Sequence, residues 1–257
     1  MIQPIAIYVL WLREMKKFVR AKSRVIGTLG MPLFLLVFLG FGFRRVAIPG
    51  IGSDIEYIQF LVPGIVGMTL LFSATFAGIS VLWDREFGFL KEIMVTPVSR
   101  ISIVLGRVAG GATTSMIQGI LILALSIPLG FQVPGLLAFL FSIAFMILIA
   151  VTFICLGLIF ASNMKDIHGF TLIMNFIVFP LFLLSGALFP IENLPGPVLY
   201  LAYADPLTYG VDGLRTLLIT RGWVPSFPIL IDAAVLAGFT ILMVFLGAFF
   251  FERSEAL

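Results

Sequence analysis

Residues 60–100 read FLVPGIVGMTLLFSATFAGISVLWDREFGFLKEIMVTPVSR, a long apolar run followed by a short charged segment. No charged residue occurs from Phe60 through Leu82. The segment that follows carries charge at Asp84, Arg85, Glu86, Lys91, Glu92 and Arg100. An apolar run of this length is long enough to cross the hydrocarbon core of a bilayer as a helix. The stretch therefore predicts a membrane span followed by a polar segment outside the membrane.

The composition of the whole chain agrees with this local pattern. The 257 residues are 61% hydrophobic and 11% charged, and their mean hydropathy is +1.17. A soluble domain carries about 25% charged residues, so the composition indicates an integral membrane protein. The single cysteine, Cys155, excludes an intrachain disulfide, and one cysteine with one histidine cannot build a zinc site.

The apolar runs predict an all-α membrane protein with six transmembrane helices. The runs are continuous and do not alternate with period two, which favours helices over a barrel. They fill most of the chain and leave no room for a separate soluble domain, so residues 1–257 are expected to form a single transmembrane domain. The predicted spans are residues 25–43, 58–82, 102–127, 135–161, 169–189 and 229–251.

Basic residues predict the orientation of these spans. An even number of spans places both termini on one face, and eleven Lys and Arg residues fall on that face against four on the other. The termini and the segment 84–100 are therefore expected in the cytoplasm. The four on the opposite face are Arg44, Arg45, Arg215 and Arg221.

Residues 1–24 predict an amphipathic helix that lies in the membrane interface. Apolar residues recur at steps of three and four, and basic residues recur on another face. This pattern is typical of a helix with its apolar side in the bilayer and its basic side toward phosphate headgroups. The alternative is that the charges only set the topology. The basic residues concerned are Arg13, Lys16, Lys17 and Arg20.

The charged segment 84–100 predicts a short cytoplasmic helix. Asp84 is placed to cap it, Pro97 to end it, and Phe87, Leu90, Ile93 and Met94 to form one apolar face. Such a helix, anchored by a span at each end, could transmit a force applied outside the membrane to spans two and three. The alternative is a solvated turn.

Residues 190–219 predict a helical hairpin on the outer face. The segment is too apolar for an ordinary loop, and its prolines exclude one continuous helix. Two short helices, 196–204 and 207–219, are expected on either side of a turn at Asp205-Pro206, with Asp205 as the cap of the second. Tyr209 is expected at headgroup level with Tyr200 and Tyr203.

The sequence lacks common motifs of nucleotide hydrolysis and of metal-dependent or serine-dependent catalysis. The chain has no Gly-Lys dipeptide and hence no P-loop, and it has neither HExxH nor GxSxG. No carboxylate or histidine is expected near the middle of the bilayer, where a proton or ion relay would need one. Asn175 is the one strongly polar side chain well inside span five, and it could bond across a helix interface or line a path. The chain is therefore expected to be no enzyme, to bind no metal, and to depend on another polypeptide for energy.

The order of these elements resembles the ABC-2 type permeases, the membrane subunits of ATP-binding-cassette exporters. The resemblance covers nearly the whole chain. Its most specific parts are residues 60–100, the stretch LSGALFPIENLP at 184–195, and the stretch ADPLTYGVDGLR at 204–215.

The resemblance implies the partners and the sites. A separate ATPase subunit, which carries the ATP and Mg, would bind the cytoplasmic side of a pair of permeases, identical or closely related, in the inner membrane of a prokaryote. The segment 84–100 would be the coupling helix, and the N-terminal helix would lie beside it. The coupling residues would be Asp84, Arg85, Glu86, Phe87, Lys91, Glu92 and Pro97. The substrate path would run between the two permeases, with Phe72, Phe76, Asn175 and Phe179 as candidates to face it.

The substrate expected from the resemblance is a hydrophobic or amphiphilic molecule, drug-like or lipid-linked, that is moved outward. Export of a lipid-linked polysaccharide by the same architecture is the first alternative. An ATP-independent channel or membrane enzyme is a further alternative, and nucleic acid is not an expected partner.

Overall fold

A computed structural model describes residues 3–43, 55–88, 98–164, 166–219 and 222–254. Across these residues the protein is helical and contains no β-strand. The α-helices are α1 (Pro4–Arg20), α2 (Lys22–Gly42), α3 (Tyr57–Ala77), α4 (Ile79–Glu86), α5 (Arg100–Ser126), α6 (Leu136–Asn163), α7 (Ile167–Leu184), α8 (Gly196–Ala204), α9 (Pro206–Leu218) and α10 (Ile229–Ser254). Short 3-10 helices occupy Ile127–Leu129 and Ile191–Asn193.

Six segments of the described chain are long and apolar enough to cross a membrane, which confirms the predicted number of spans. Their boundaries differ most from the prediction at two places. Span two is interrupted at Gly78 and continues as α4 to Glu86, four residues beyond the predicted end. The helix of span five begins at Ile167 and ends at Leu184, because the chain turns at Ser185 and Gly186.

Helix α3 is the central helix of the bundle. Its residues from Phe60 to Leu71 are all buried, and it packs on α2, α5, α6, α7 and α9. Its apolar residues point in every direction, as expected for a helix surrounded by others. Helix α4 continues from α3 with only Gly78 between them.

Helix α1 packs along the first half of α5 and is not an isolated surface helix. A Cβ at Gly106 would lie 2.8 Å from the Cβ of Leu10, and one at Gly110 would lie 2.8 Å from the Cβ of Glu14. The small-xxx-small pair of the sequence therefore forms the seam that receives α1. Gln3 donates its backbone N–H to the Ser102 hydroxyl at 2.8 Å, where α5 begins.

The predicted hairpin is formed by α8 and α9. Asp205 accepts the backbone N–H of Leu207 at 2.9 Å, which confirms Asp205 as the cap of the second helix, and Pro206 occupies its first position. Tyr209 is buried and donates to the carbonyl of Tyr203 at 2.8 Å. Of the tyrosines expected at headgroup level, Tyr209 packs inside the protein, whereas Tyr200 is exposed.

Candidate coupling site and substrate pocket

Four charged side chains from three helices meet at one end of the bundle. Asp84, in the last turn of α4, accepts from Arg13 Nη1 at 2.8 Å and from Arg107 Nη2 at 2.9 Å. Lys17 Nζ lies 3.5 Å from the same carboxylate. We call Arg13, Lys17, Asp84 and Arg107 the Asp84 cluster, and this side of the molecule the Asp84 end. The cluster joins α1, α4 and α5.

This arrangement corrects one prediction. Asp84 does not cap a new helix, because it belongs to the helix that continues from span two and is only 4% exposed. Arg13 and Lys17, predicted to face phosphate headgroups, both form ion pairs with Asp84, and Arg13 is half-buried. Lys17 is nevertheless exposed, as are Lys16 and Arg20.

Arg107 is the most deeply buried cation of the Asp84 cluster. It is 4% exposed, and its Nε and Nη1 groups have no hydrogen-bond partner, so its charge is balanced by Asp84 alone among the described residues. A buried ion pair contributes little net stability, but loss of one partner is costly because the other charge is left unpaired. The cluster therefore fixes the relative positions of α4 and α5.

The end of α4 presents an exposed surface next to this cluster. Glu86 is exposed, Phe87 is 73% exposed, and the rings of Trp83 and Phe87 stack with their centroids 5.6 Å apart. Gly88, with φ of 74°, ends the helix in the left-handed conformation that favours glycine. Lys91, Glu92 and Pro97 lie outside the described residues, as does the side chain of Arg85.

A pocket of about 280 Å³ lies beside the Asp84 cluster, between α1, α2, α3 and α5. Phe72 and Phe76, predicted to face the substrate path, both line it. The other two path candidates, Asn175 and Phe179, lie on an exposed face of α7 and do not line this pocket. The Asn175 amide therefore faces outward and makes no hydrogen bond to another helix among the described residues.

Aromatic rings connect the two groups of path candidates. Phe179 and Phe182 of α7 have ring centroids 6.4 Å apart, and Phe182 meets Phe72 edge-on at 6.2 Å. Phe72 in turn stacks on Phe76 at 6.5 Å. The exposed face of α7 is thus linked to the pocket wall by packed aromatic side chains.

Arg215 organises the opposite end of the bundle, which we call the Arg215 end. Its Nη2 group donates to the carbonyls of Gly186 at 2.7 Å and Ala187 at 2.9 Å, and its Nε group to the carbonyl of Phe60 at 3.2 Å. Its guanidinium carbon also lies 3.6 Å from the centre of the Phe60 ring. One buried side chain therefore joins the beginning of α3, the end of span five and the hairpin.

Sequence reasoning missed these partnerships. Arg215 was counted only as a positive charge of the outer face, and Arg107 was assigned no role. Both are basic residues in helices whose partners lie far away in the chain, at Asp84 for Arg107 and at Phe60 and Gly186 for Arg215. A signal was present for Arg107, because a lone arginine in a span needs a nearby carboxylate, and Asp84 is the carboxylate that follows span two. The described residues hold no group of His, Cys, Asp and Glu side chains that could bind a metal ion.

Comparisons with known proteins agree with this architecture. The chain is 27% identical over 250 residues to the inner membrane transport permease YadH of Escherichia coli K12, which covers 96% of this chain and 92% of YadH. It is 26% identical over 247 residues to nodulation protein J of Sinorhizobium fredii, covering 95% and 91% of the two chains. It is also 26% identical over 213 residues to the putative transport permease ycf38 of Cyanophora paradoxa, covering 81% and 73%.

The family model of the ABC-2 type transporters matches residues 5–219, which include α1, the Asp84 cluster, both pocket phenylalanines and Arg215. The chain is therefore a multi-pass membrane protein that belongs to the ABC-2 type transporter family.

Proposed function

We propose that this chain is the permease subunit of an exporter driven by a separate ATPase that docks at the Asp84 end. The observation that carries the proposal is the Asp84 cluster, which joins α1, α4 and α5 at the base of the charged segment 84–100. A force applied to this segment would reach three helices at once. The permease itself would bind no nucleotide, and ATP and Mg would be held by the partner subunit.

The contact with the ATPase would begin at the exposed end of α4. Trp83 and Phe87 offer a stacked aromatic pair, and Glu86 offers a charge beside it. Arg85, Lys91, Glu92 and Pro97 follow in sequence and would extend the contact. Lys16 and Arg20 of α1 are exposed on the same side of the bundle and would face the partner or anionic lipid headgroups.

Movement at this contact would reach the substrate pocket by a short route. Helix α4 leads through Gly78 into α3, which supplies Phe72 and Phe76 to the pocket wall. The same pocket is lined by Glu14 and Lys17 of α1, so rotation of α1 or α4 would change its shape. A hydrophobic or amphiphilic substrate would be moved outward from here.

A second permease copy would complete the path. Helix α2 exposes Phe34, Phe38 and Phe41, and α7 exposes Leu172, Phe176 and Phe179. Two such faces from paired subunits would form an apolar wall on both sides of a substrate. The excess of basic residues at the Asp84 end supports placing this end, with both termini, in the cytoplasm.

The experiment that tests this proposal is co-expression of the chain with a candidate P-loop ATPase encoded beside it, followed by purification in nanodiscs. We expect a stable complex whose ATP hydrolysis responds to hydrophobic or amphiphilic compounds. The Tyr200→Phe variant, changed at an exposed position of the hairpin at the Arg215 end, serves as a control for changes in the Asp84 cluster. A permease that transports the same compounds with no ATPase present would refute the proposal.

A further inference from the structure

The pocket between α1, α2, α3 and α5 has an accessible cation in its wall. Among the described residues that line it, Lys17 supplies the one positive charge and Glu14 the one negative charge. The Lys17 side chain is 42% exposed, whereas that of Glu14 is 16% exposed. A molecule that enters the pocket would therefore reach the Lys17 ammonium group more readily than the Glu14 carboxylate.

The ion pairs around Lys17 leave an excess of one positive charge. Three cations and two carboxylates take part in them: Arg13, Lys17, Arg107, Asp84 and Glu14. The Lys17 Nζ atom lies 3.4 Å from Glu14 and 3.5 Å from Asp84, which are long distances for charged partners. Asp84 also accepts from two arginines, so it stays paired if Lys17 turns toward another anion. One further anion at Lys17 would balance this group of charges.

The rest of the lining suits an apolar chain. The Phe72 and Phe76 rings are partly exposed in it and stack with their centroids 6.5 Å apart. Val25 and Met31 of α2 also line the pocket and are six residues apart, which corresponds to about 9 Å along the helix. Alkyl groups that leave water for contact with these side chains would gain the free energy of apolar burial.

The cation and the phenylalanine rings lie toward different ends of the pocket. Lys17 binds Asp84, in the last turn of α4. Phe76 and Phe72 precede Asp84 by eight and twelve residues, or about 12 and 18 Å of helix. A ligand with an acidic group at Lys17 would therefore place its apolar part beside the two rings, farther from the Asp84 cluster.

We propose that this pocket binds an amphiphile whose acidic headgroup, a phosphate or a carboxylate, pairs with Lys17 and whose alkyl chain packs on Phe72 and Phe76. A quaternary ammonium headgroup would meet an excess of positive charge, and a neutral headgroup would gain no ion pair. A bilayer lipid and a single-chain compound can both supply this chemistry. Identifying the ligand as the exported substrate rests on the proposed function, whereas the binding depends only on residues of this chain.

Protection of a cysteine reporter tests this binding without any ATPase. Cys155→Ala removes the single cysteine, and Ser73→Cys places one thiol in the pocket lining. The chain is placed in phosphatidylcholine nanodiscs, and the rate of labelling by N-ethylmaleimide is measured with decyl phosphate, decanol or decyltrimethylammonium. The three probes share one alkyl chain and differ in the charge of the headgroup. The control reporter is Phe245→Cys, at an exposed position of α10 outside the pocket lining.

We expect decyl phosphate to protect Ser73→Cys at a concentration about three- to tenfold lower than decanol, as one partly exposed ion pair would give. Decyltrimethylammonium should protect least, and none of the probes should protect Phe245→Cys selectively. In the Lys17→Gln background, decyl phosphate and decanol should protect equally. Lys17→Arg keeps the positive charge and should keep the preference for the phosphate.

A change of the bilayer separates the two sources of the ligand. Part of the phosphatidylcholine is replaced by phosphatidylglycerol, and labelling of Ser73→Cys is measured with no probe present. Slower labelling that depends on Lys17 would identify a bilayer lipid as the ligand. Unchanged labelling, together with protection by decyl phosphate, would identify a single-chain ligand.

The proposal is overturned if neither decyl phosphate nor phosphatidylglycerol protects the pocket thiol, if decanol or the ammonium probe protects as well as the phosphate, or if Lys17→Gln keeps the preference for the phosphate. The comparison of headgroups needs no Lys17 variant, so it decides the question even if Lys17→Gln does not fold. Lack of protection beside normal ATPase-dependent transport would refute the ligand and leave the export function intact. Protection of a chain that forms no complex with an ATPase would do the reverse.

Discussion

Arg107 in the third span donates to Asp84 at the end of the second across 2.9 Å, and both side chains are buried. The two residues are 23 apart in the sequence: Asp84 begins the charged segment 84–100, and Arg107 follows its end. Arg13 and Lys17 bring α1 to the same carboxylate. The Asp84 carboxylate therefore holds together α1, α4 and α5, the three helices to which a docked partner would apply force.

Replacing Asp84 by Asn should destabilise the protein and uncouple ATP hydrolysis in the complex from the binding of substrate. The amide keeps the shape of the carboxylate but leaves the Arg107 charge buried without an anion, which typically costs about 3–5 kcal/mol. We expect a lower apparent Tm in nanodiscs and, in the complex, ATP hydrolysis that no longer responds to substrate. Tyr200→Phe, at an exposed position of the hairpin, should change neither quantity.

The double variant Asp84→Leu with Arg107→Leu separates stability from coupling. Because apolar side chains can replace a buried ion pair without loss, we expect the apparent Tm to recover toward that of the unchanged chain. Arg13 and Lys17 would still lack their anion, so the response of ATP hydrolysis to substrate should stay absent. Recovery of both quantities would show that the cluster has a structural role alone.

Replacing Gly106 by Ala should loosen α1. The added Cβ would lie 2.8 Å from the Cβ of Leu10, closer than such atoms approach in proteins, so α1 must move away from α5. The matched control is Gly238→Ala in α10, where nothing lies within 4 Å of the new atom. We expect faster proteolysis within residues 3–20 for Gly106→Ala alone. Equal protection in the two variants would contradict the close packing of α1.

Replacing Arg215 by Lys should destabilise the Arg215 end although the charge is kept. A lysine cannot reproduce the planar fork that bonds the carbonyls of Phe60, Gly186 and Ala187. Loss of such charge-assisted bonds should lower stability by about 2–4 kcal/mol, measured as a fall in apparent Tm. Arg20→Lys, at an exposed position of α1, should leave the apparent Tm unchanged.

The stability of the hairpin should depend on pH through Asp205. Burial raises the pKa of the Asp205 carboxyl to about 8, so between about pH 4 and pH 8 the folded protein holds a proton that the unfolded chain has lost. Apparent Tm should therefore fall as the pH rises through this range. Asp205→Asn keeps the cap and should flatten this dependence, with a smaller slope remaining because burial also raises the pKa of Asp212.

The control for this pH dependence is Asp166→Asn at the first residue before α7. Backbone N–H groups of Gly169 and His168 hold the pKa of Asp166 below its usual value, so Asp166 is ionised in both states above pH 5. Its replacement should leave the slope between pH 5 and pH 8 unchanged. A slope that Asp205→Asn does not alter would contradict the assigned protonation of Asp205.

The spans could be predicted from the sequence because twenty consecutive apolar residues have few alternatives to a membrane helix. The Asp205 cap could be predicted because it is local, fixed by the residues on either side of one proline. The environment of α1 could not, because a basic face suits lipid phosphates and a protein carboxylate equally well. Arg13 reaches Asp84 because the small residues Gly106 and Gly110 let α1 pack closely on α5, and this packing is known only from the three-dimensional structure.

Site-specific photo-cross-linking tests the central claim most directly. In the complex with its candidate ATPase, p-benzoylphenylalanine replaces Phe87, which is exposed at the Asp84 end, or Tyr200, which is 75% exposed on the hairpin. We predict that position 87 cross-links to the ATPase and that position 200 does not. Cross-links from position 200, or none from position 87 in a complex that hydrolyses ATP, would contradict the account.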